Sequence, residues 1–170
     1  AIELAQPDIK HELEPMFTGK ALPLLLKSAK IKKEHFIVRG VKISGLTEAQ
    51  VAVKTGDLLK LKPPVTVGIY ARPGEVELKI MAKASSGAAA LKAANRIETT
   101  IRTRFKEKVF GIDEETLSSA VGMLLRKKKQ TVAGAESCTG GLLSGLLTET
   151  AGSSDYFLGG IISYDNRIES

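Results

Sequence analysis

The sequence predicts a mixed fold, α/β and α+β: a small β-α-β-β-α sandwich followed by the first part of a truncated α/β layered domain. Three observations carry this. Apolar residues alternate on both sides of Arg72-Pro73-Gly74, the mark of a hairpin with one wet face. Thr47 and Gln50 form a capping box ahead of an amphipathic run. The apolar run 131–135 passes through Glu136-Ser137-Cys138-Thr139-Gly140-Gly141 into Leu142, Leu143, Leu146 and Leu147, so a strand ends where a helix begins.

Residues 1–30 read as a tail. Pro7 or Asp8 can open a helix through Met16, and Leu22, Leu24, Leu25 and Leu26 form an apolar cluster that requires a packing partner. A chain opening at Ala1 on such a segment reads as cut from something longer.

Residues 31–111 read as one complete unit. The segment 36–43 is β-rich, and Leu46 with Val51 supplies a hydrophobic staple around the Thr47 cap. The helix from Glu48 runs to about Leu61, where Pro63-Pro64 forbids continuation. Val65, Val67 and Ile69 alternate, then Val76, Leu78, Ile80 and Ala82 alternate against Glu75, Glu77, Lys79 and Lys83. After Ser85-Ser86-Gly87, the spacing of Leu91, Ala94, Ile97, Ile101 and Phe105 predicts a helix over 87–107. Nothing here assembles for catalysis: His35 sits at the edge, and Glu75 and Glu77 alternate as a solvent face does. Spacer, dimer contact and nucleic-acid binder are its candidate roles.

Residues 112–170 form the third unit. Asp113 is read as an N-cap, with Glu114 and Glu115 at the favoured end of the dipole, and Leu117, Val121, Leu124 and Leu125 bury one helix face. The strand, the 136–141 turn, a helix through Thr148, the turn Gly152-Ser153-Ser154 and the strand 160–163 then imply a parallel crossover.

The 136–141 turn concentrates the polar chemistry. The first N–H groups of a helix lack intrahelical partners and carry the positive end of its dipole, so the sequence predicts a site there for an anion or oxyanion. Gly140 and Gly141 permit close approach to the backbone, and Ser137 and Thr139 add hydroxyls or cap the helix. Cys138 is the only cysteine, which excludes an intrachain disulfide; with neither histidine in this half, it reads as a small packed side chain.

The net charge of +6 is concentrated between Lys27 and Lys62, where nine basic residues face three acidic ones. These lysines lack interleaved aromatics and any nucleic-acid-binding motif, so they read as a solvated basic face and nucleic acid is not an expected partner. Arg126-Lys127-Lys128-Lys129 ends a helix, where cations complement the dipole. No run approaches the ~20 apolar residues of a membrane span and no signal segment opens the chain; the expectation is a cytoplasmic protein without a membrane partner. No cluster has metal-ligand spacing, and neither a metal nor an organic cofactor is expected.

The turn Glu136 to Gly141, the later Gly152-Ser153-Ser154 and the segment Gly159 to Asn166 together resemble the C-terminal domain of the competence/damage-inducible, CinA-like family, over about residues 113–170. The resemblance implies a nicotinamide-nucleotide amidohydrolase acting on nicotinamide mononucleotide (NMN), and a homodimer. It implies that residues 1–30 are the remnant of a nucleotide-binding domain similar to molybdopterin-binding proteins. It also implies that the middle unit has the shape of a KH module, here without the Gly-x-x-Gly loop that clamps nucleotide backbones.

Amide hydrolysis needs a nucleophile, a proton carrier and oxyanion donors, and without a nearby histidine a serine requires Tyr or Lys as its base. The resemblance assigns the nucleophile to Ser154 and pairs it with Tyr164. It assigns substrate contact to Ser137, Cys138, Thr139, Gly140, Gly141 and Ser153. It places a lysine five residues beyond the tyrosine, where this chain has Glu169. Two readings stay open: hydrolysis with the base supplied differently, or a nucleotide-binding or regulatory module that does not hydrolyse.

Overall fold

The computed structural model describes residues 10–28 and 34–165. Strands β1 (His35–Ser44), β2 (Val65–Arg72), β3 (Glu75–Ala84) and β4 (Val109–Ile112) form an antiparallel sheet in the order β2-β3-β1-β4. The predicted β-α-β-β-α order is present, with α3 (Glu48–Leu59) and α4 (Gly87–Phe105) in their places. The fourth strand is an addition: four residues are too few for a period-2 signal, and its pairing to β1 carries a register shift at Lys42/Ile43.

Thr47 caps α3 as expected, its hydroxyl accepting from the Gln50 N–H while Gln50 Oε1 accepts from the Thr47 N–H. The helix stops at Leu59, two residues before the expected Leu61. Ser86 caps α4 through the Ala89 N–H. Both helices cover one sheet face, where Val41, Ile43, Leu78, Ile80, Val51, Ala94, Ile101 and Phe105 close the core. Alternation of the strands sends every second residue there.

The opposite face differs from its prediction. Glu77 is only 5% exposed, with Arg72 and Lys79 at 3.6 and 3.8 Å from its Oε2. Its partner across β1 is Lys42, whose Nζ donates to the Glu115 carbonyl at 2.8 Å. Alternation identified the face correctly, but the loop after β4 and the neighbouring cations cover part of it. Within the basic 27–62 stretch, two described cations have partners: Arg39 is held by Glu98 and Asn95 at 2.6 and 3.0 Å, and Lys54 lies over the Phe105 ring. Lys30, Lys32 and Lys33 lie outside the described residues.

Asp113 does not cap a helix. It has φ +49°, and with Gly40 it closes β4 onto β1: the Asp113 N–H donates to the Gly40 carbonyl, and Asp113 Oδ1 accepts from the Gly40 N–H, both at 2.9 Å. Helix α5 (Leu117–Lys128) instead starts behind Thr116, which forms a capping box with Ser119. An acceptor one turn too early lost to one at the correct spacing.

Strands β5 (Val132–Glu136) and β6 (Phe157–Ile162) pair in parallel, joined through α6 (Leu142–Thr148). That is the predicted α/β layer. Tyr156, fully buried, ties it together by donating its OH to the Leu147 carbonyl at 2.8 Å, with Gly122 of α5 against its ring.

The N-terminal segment is helical as expected through Met16, as α1 (Lys10–Met16), then makes a five-residue π turn, Phe17–Ala21, before α2 (Leu22–Ser28). Pro15 and Pro23 flank the turn, and proline gives no N–H to a helical ladder. Leu13, Phe17, Leu24, Leu25 and Leu26 stay exposed. Pro7 and Asp8 lie outside the described residues. No helix among the described residues is long and apolar enough to cross a membrane.

Candidate functional site

The parallel pairing of β5 and β6 has two edges, and the predicted site residues divide between them. At the carboxyl edge, Ser137 follows the last residue of β5, and Ser163 and Tyr164 follow the last residue of β6. Glu136 is in register with Ile162, and the Ser163 N–H donates to the Glu136 carbonyl at 2.8 Å, so these strand ends are adjacent. Tyr164 is 77% exposed. Carboxyl edges of parallel sheets are where α/β folds place ligands.

Ser154 stands at the other edge. It lies in a single 3-10 turn, Ser153–Asp155, just ahead of β6; the next residue, Tyr156, accepts the Val132 N–H at the very start of β5, 2.8 Å away. The last turn of α5 reaches the same edge: Arg126 Nη2 donates to the Ala151 carbonyl at 2.9 Å, its Nε meets Asp155 Oδ2 at 3.1 Å, and its guanidinium stacks on Tyr156. Arg126 therefore has a specific partner beyond the helix dipole. Gly152, at φ +77°, leaves room for that guanidinium, which a Cβ would meet at 2.6 Å. Ser153 is committed to the turn through its own N–H and carbonyl. Ser154 is exposed and its hydroxyl takes no partner among the described residues.

The start of α6 does hold an anion, and it is Glu136. One carboxylate oxygen accepts the Leu143 N–H at 2.9 Å; the other accepts the Ser144 N–H and hydroxyl at 2.8 and 2.5 Å. The Ser144 hydroxyl above all, then the Ser144 amide, the Thr139 hydroxyl and the Leu143 amide, hold Glu136 at a pKa of about 2 against the opposing cost of burial. The helix-start donors predicted for a ligand are thus already spent. The helix has Gly141 at its N-cap, φ +96°, with no side-chain cap, so neither Ser137 nor Thr139 plays that role.

What remains for a ligand is the loop before the helix. The N–H groups of Cys138, Thr139 and Gly141 have no backbone partner among the described residues, whereas Gly140 donates to the Ser137 carbonyl and Leu142 to that of Thr139. A Cβ on Gly141 would strike Ile162 Cδ1 at 2.8 Å, so this glycine brings the loop against the end of β6. Cys138 is exposed. Ser163 was not singled out from sequence, yet its hydroxyl is buried at this edge without a partner among the described residues. Glu136 was also missed as a structural anion. A cavity of about 410 Å³ lies elsewhere, between the β2–β3 hairpin tip and the apolar residues of α5 and α6. Arg167 and Glu169 lie outside the described residues.

A four-stranded sheet with two helices on one face, joined directly to a β-α-β unit with a hydroxyl-lined carboxyl edge, defines a KH-like module coupled to an α/β domain, the arrangement of the damage-inducible class. The chain belongs to the CinA-like family. Residues 38–111 match the damage-inducible protein CinA KH domain, and residues 114–170 match the CinA C-terminal domain. It is 45% identical over 163 residues to the CinA-like protein of Nostoc punctiforme, and 44% identical over 166 residues to that of Microcystis aeruginosa. These alignments take in 96% and 98% of this chain but 39% of each relative, so the chain spans about two fifths of their length.

Proposed function

We propose that the full-length protein is a serine-dependent amidohydrolase that converts NMN to its carboxylate and ammonia. The reading is supported by family membership and carried by one observation: two adjacent strand ends present Ser137, Ser163 and Tyr164 beside a loop with unspent N–H donors. Ser154 Oγ adds to the carboxamide carbon while its proton passes to Tyr164 in its phenolate form; the collapsing intermediate takes that proton back on nitrogen and releases ammonia. Water then adds to the ester, and its cleavage returns Ser154 and frees the carboxylate. The N–H groups of Cys138, Thr139 and Gly141 are the donors for the oxyanion, because those of Leu143 and Ser144 serve Glu136.

Ammonia release from NMN tests this on full-length protein. The unmodified protein is expected to turn over, and Ser154→Ala to lose at least about a thousandfold in kcat. Equal, background-level release from both removes the enzyme reading. A second reading, a protein that holds nucleotide without hydrolysing it, is favoured by the sequence: Glu169 stands where the resemblance places a lysine, and a carboxylate cannot supply an ammonium's positive charge.

A further inference from the structure

The chemistry above asks Ser154 and Tyr164 to share a proton, and the fold of one chain keeps them apart. Between them runs β6, six residues from Phe157 to Ile162, which at ~3.3 Å per residue spans about 17 Å from first to last Cα. Ser154 lies beyond its first residue and Tyr164 beyond its last. Serine and tyrosine side chains together reach less than about 10 Å. The Ser154 turn cannot fold back over the sheet, because Arg126 pins it from α5 at Ala151 and Asp155, and the buried Tyr156 anchors the next residue through Leu147. The two groups are fixed at opposite edges of one sheet.

We infer that the catalytic site is shared between two copies of the chain, Ser154 of one copy reacting with substrate held against Ser137 and Tyr164 of the other. This rests on the amidohydrolase reading above and adds to it the source of each group. The closed arrangement that achieves it is a two-fold axis perpendicular to the strands. Such an axis reverses the second sheet, sets the amino edge of each copy beside the carboxyl edge of its mate, and generates two equivalent sites. Among the described residues Ser154 and Tyr164 are both exposed.

Complementation tests it. Full-length Ser154→Ala and Tyr164→Phe proteins are co-expressed with different tags, the mixed dimer is isolated by both tags, and ammonia release from NMN is measured. Each variant alone is expected to be inactive. The mixed dimer contains one site with both native groups and one with neither, so about half of the native turnover per dimer returns. A mixed dimer as inactive as its parents overturns the shared site while leaving the hydrolase reading intact. Full activity in either variant alone defeats instead the pairing of Ser154 with Tyr164, on which the inference rests. Dilution of the native protein gives a second readout: specific activity is expected to fall as dimers dissociate, and a fully active monomer overturns the inference.

Discussion

Ser144 donates both its backbone N–H and its hydroxyl to one carboxylate oxygen of Glu136, at 2.8 and 2.5 Å, and so fastens the start of α6 to the end of β5. The strand therefore carries its own anion for the helix that follows. Gly160 of β6 lies under the same serine, where a Cβ would collide with the Ser144 hydroxyl. Strand, helix and neighbouring strand meet at one polar contact.

The first expected outcome is acid sensitivity of the C-terminal unit. Glu136 is held at about 2 in the folded chain against an ordinary value of 4.5. In that interval the unfolded chain binds a proton the folded chain does not, so this contribution is complete above about 4.5 and is lost as pH falls towards 2. Urea midpoints measured from pH 6 to pH 2 are expected to fall across that window. Glu136→Gln is expected to lower the midpoint at pH 6 and flatten the acid limb. An unchanged acid limb in the variant assigns the sensitivity to other carboxylates, Asp57 paired with Arg104 first among them.

A second outcome concerns Gly122, inside α5, where alanine ordinarily stabilises a helix by ~1 kcal/mol. Here a Cβ would lie 2.7 to 2.9 Å from the OH, Cζ and Cε1 of Tyr156. That ring cannot yield, since it is fully buried and its OH is bound to the Leu147 carbonyl. Overpacking costs ~1–3 kcal/mol, so Gly122→Ala is expected to be net destabilising in denaturant unfolding. Tyr156→Phe alone is expected to cost about 1 kcal/mol through the lost hydrogen bond. The double variant should lose less than the sum of the two single losses, because removing the OH relieves the closest contact.

The third outcome separates the two sheet faces of the KH-like domain. Leu78 and Ile101 are fully buried in one cluster, and truncating either to Ala is expected to cost ~2–5 kcal/mol. Met81, on the opposite face and 45% exposed, is expected to tolerate Ala with a small change. Chemical denaturation of the three variants checks this, and equal losses at Met81 and Leu78 would mean that both faces are covered.

Much of this was legible in the sequence because local rules and tertiary packing agreed. The Thr47 box, the hairpin around Gly74 and the helix to Phe105 needed only spacing and period. Three misreadings share an origin, a partner that the local pattern does not name. Asp113 has the chemistry of an N-cap, but its oxygen is taken by Gly40, 73 residues earlier. Glu77 has the alternation of a solvent face, but cations close over it. The start of α6 has the donors of an anion site, but the anion comes from its own chain. The family resemblance paired Ser154 with Tyr164 while saying nothing of which strand edge each would occupy.

The last outcome distinguishes the roles of the two serines by kinetics. Ser137 lies at the carboxyl edge, one residue past β5, beside the loop N–H groups of Cys138, Thr139 and Gly141. A residue that only holds substrate contributes equally to ground and transition states, so its loss raises KM and leaves kcat nearly unchanged. Ser137→Ala in the full-length protein is therefore expected to raise KM for NMN about tenfold with kcat within about threefold. Ser154→Ala should do the reverse, abolishing kcat while nucleotide binding, read by calorimetry, persists. The opposite pattern, with kcat lost at Ser137 and kept at Ser154, would move the nucleophile to the strand–loop–helix junction. There it would share an edge with Tyr164 in a single chain, and a second copy would no longer be required.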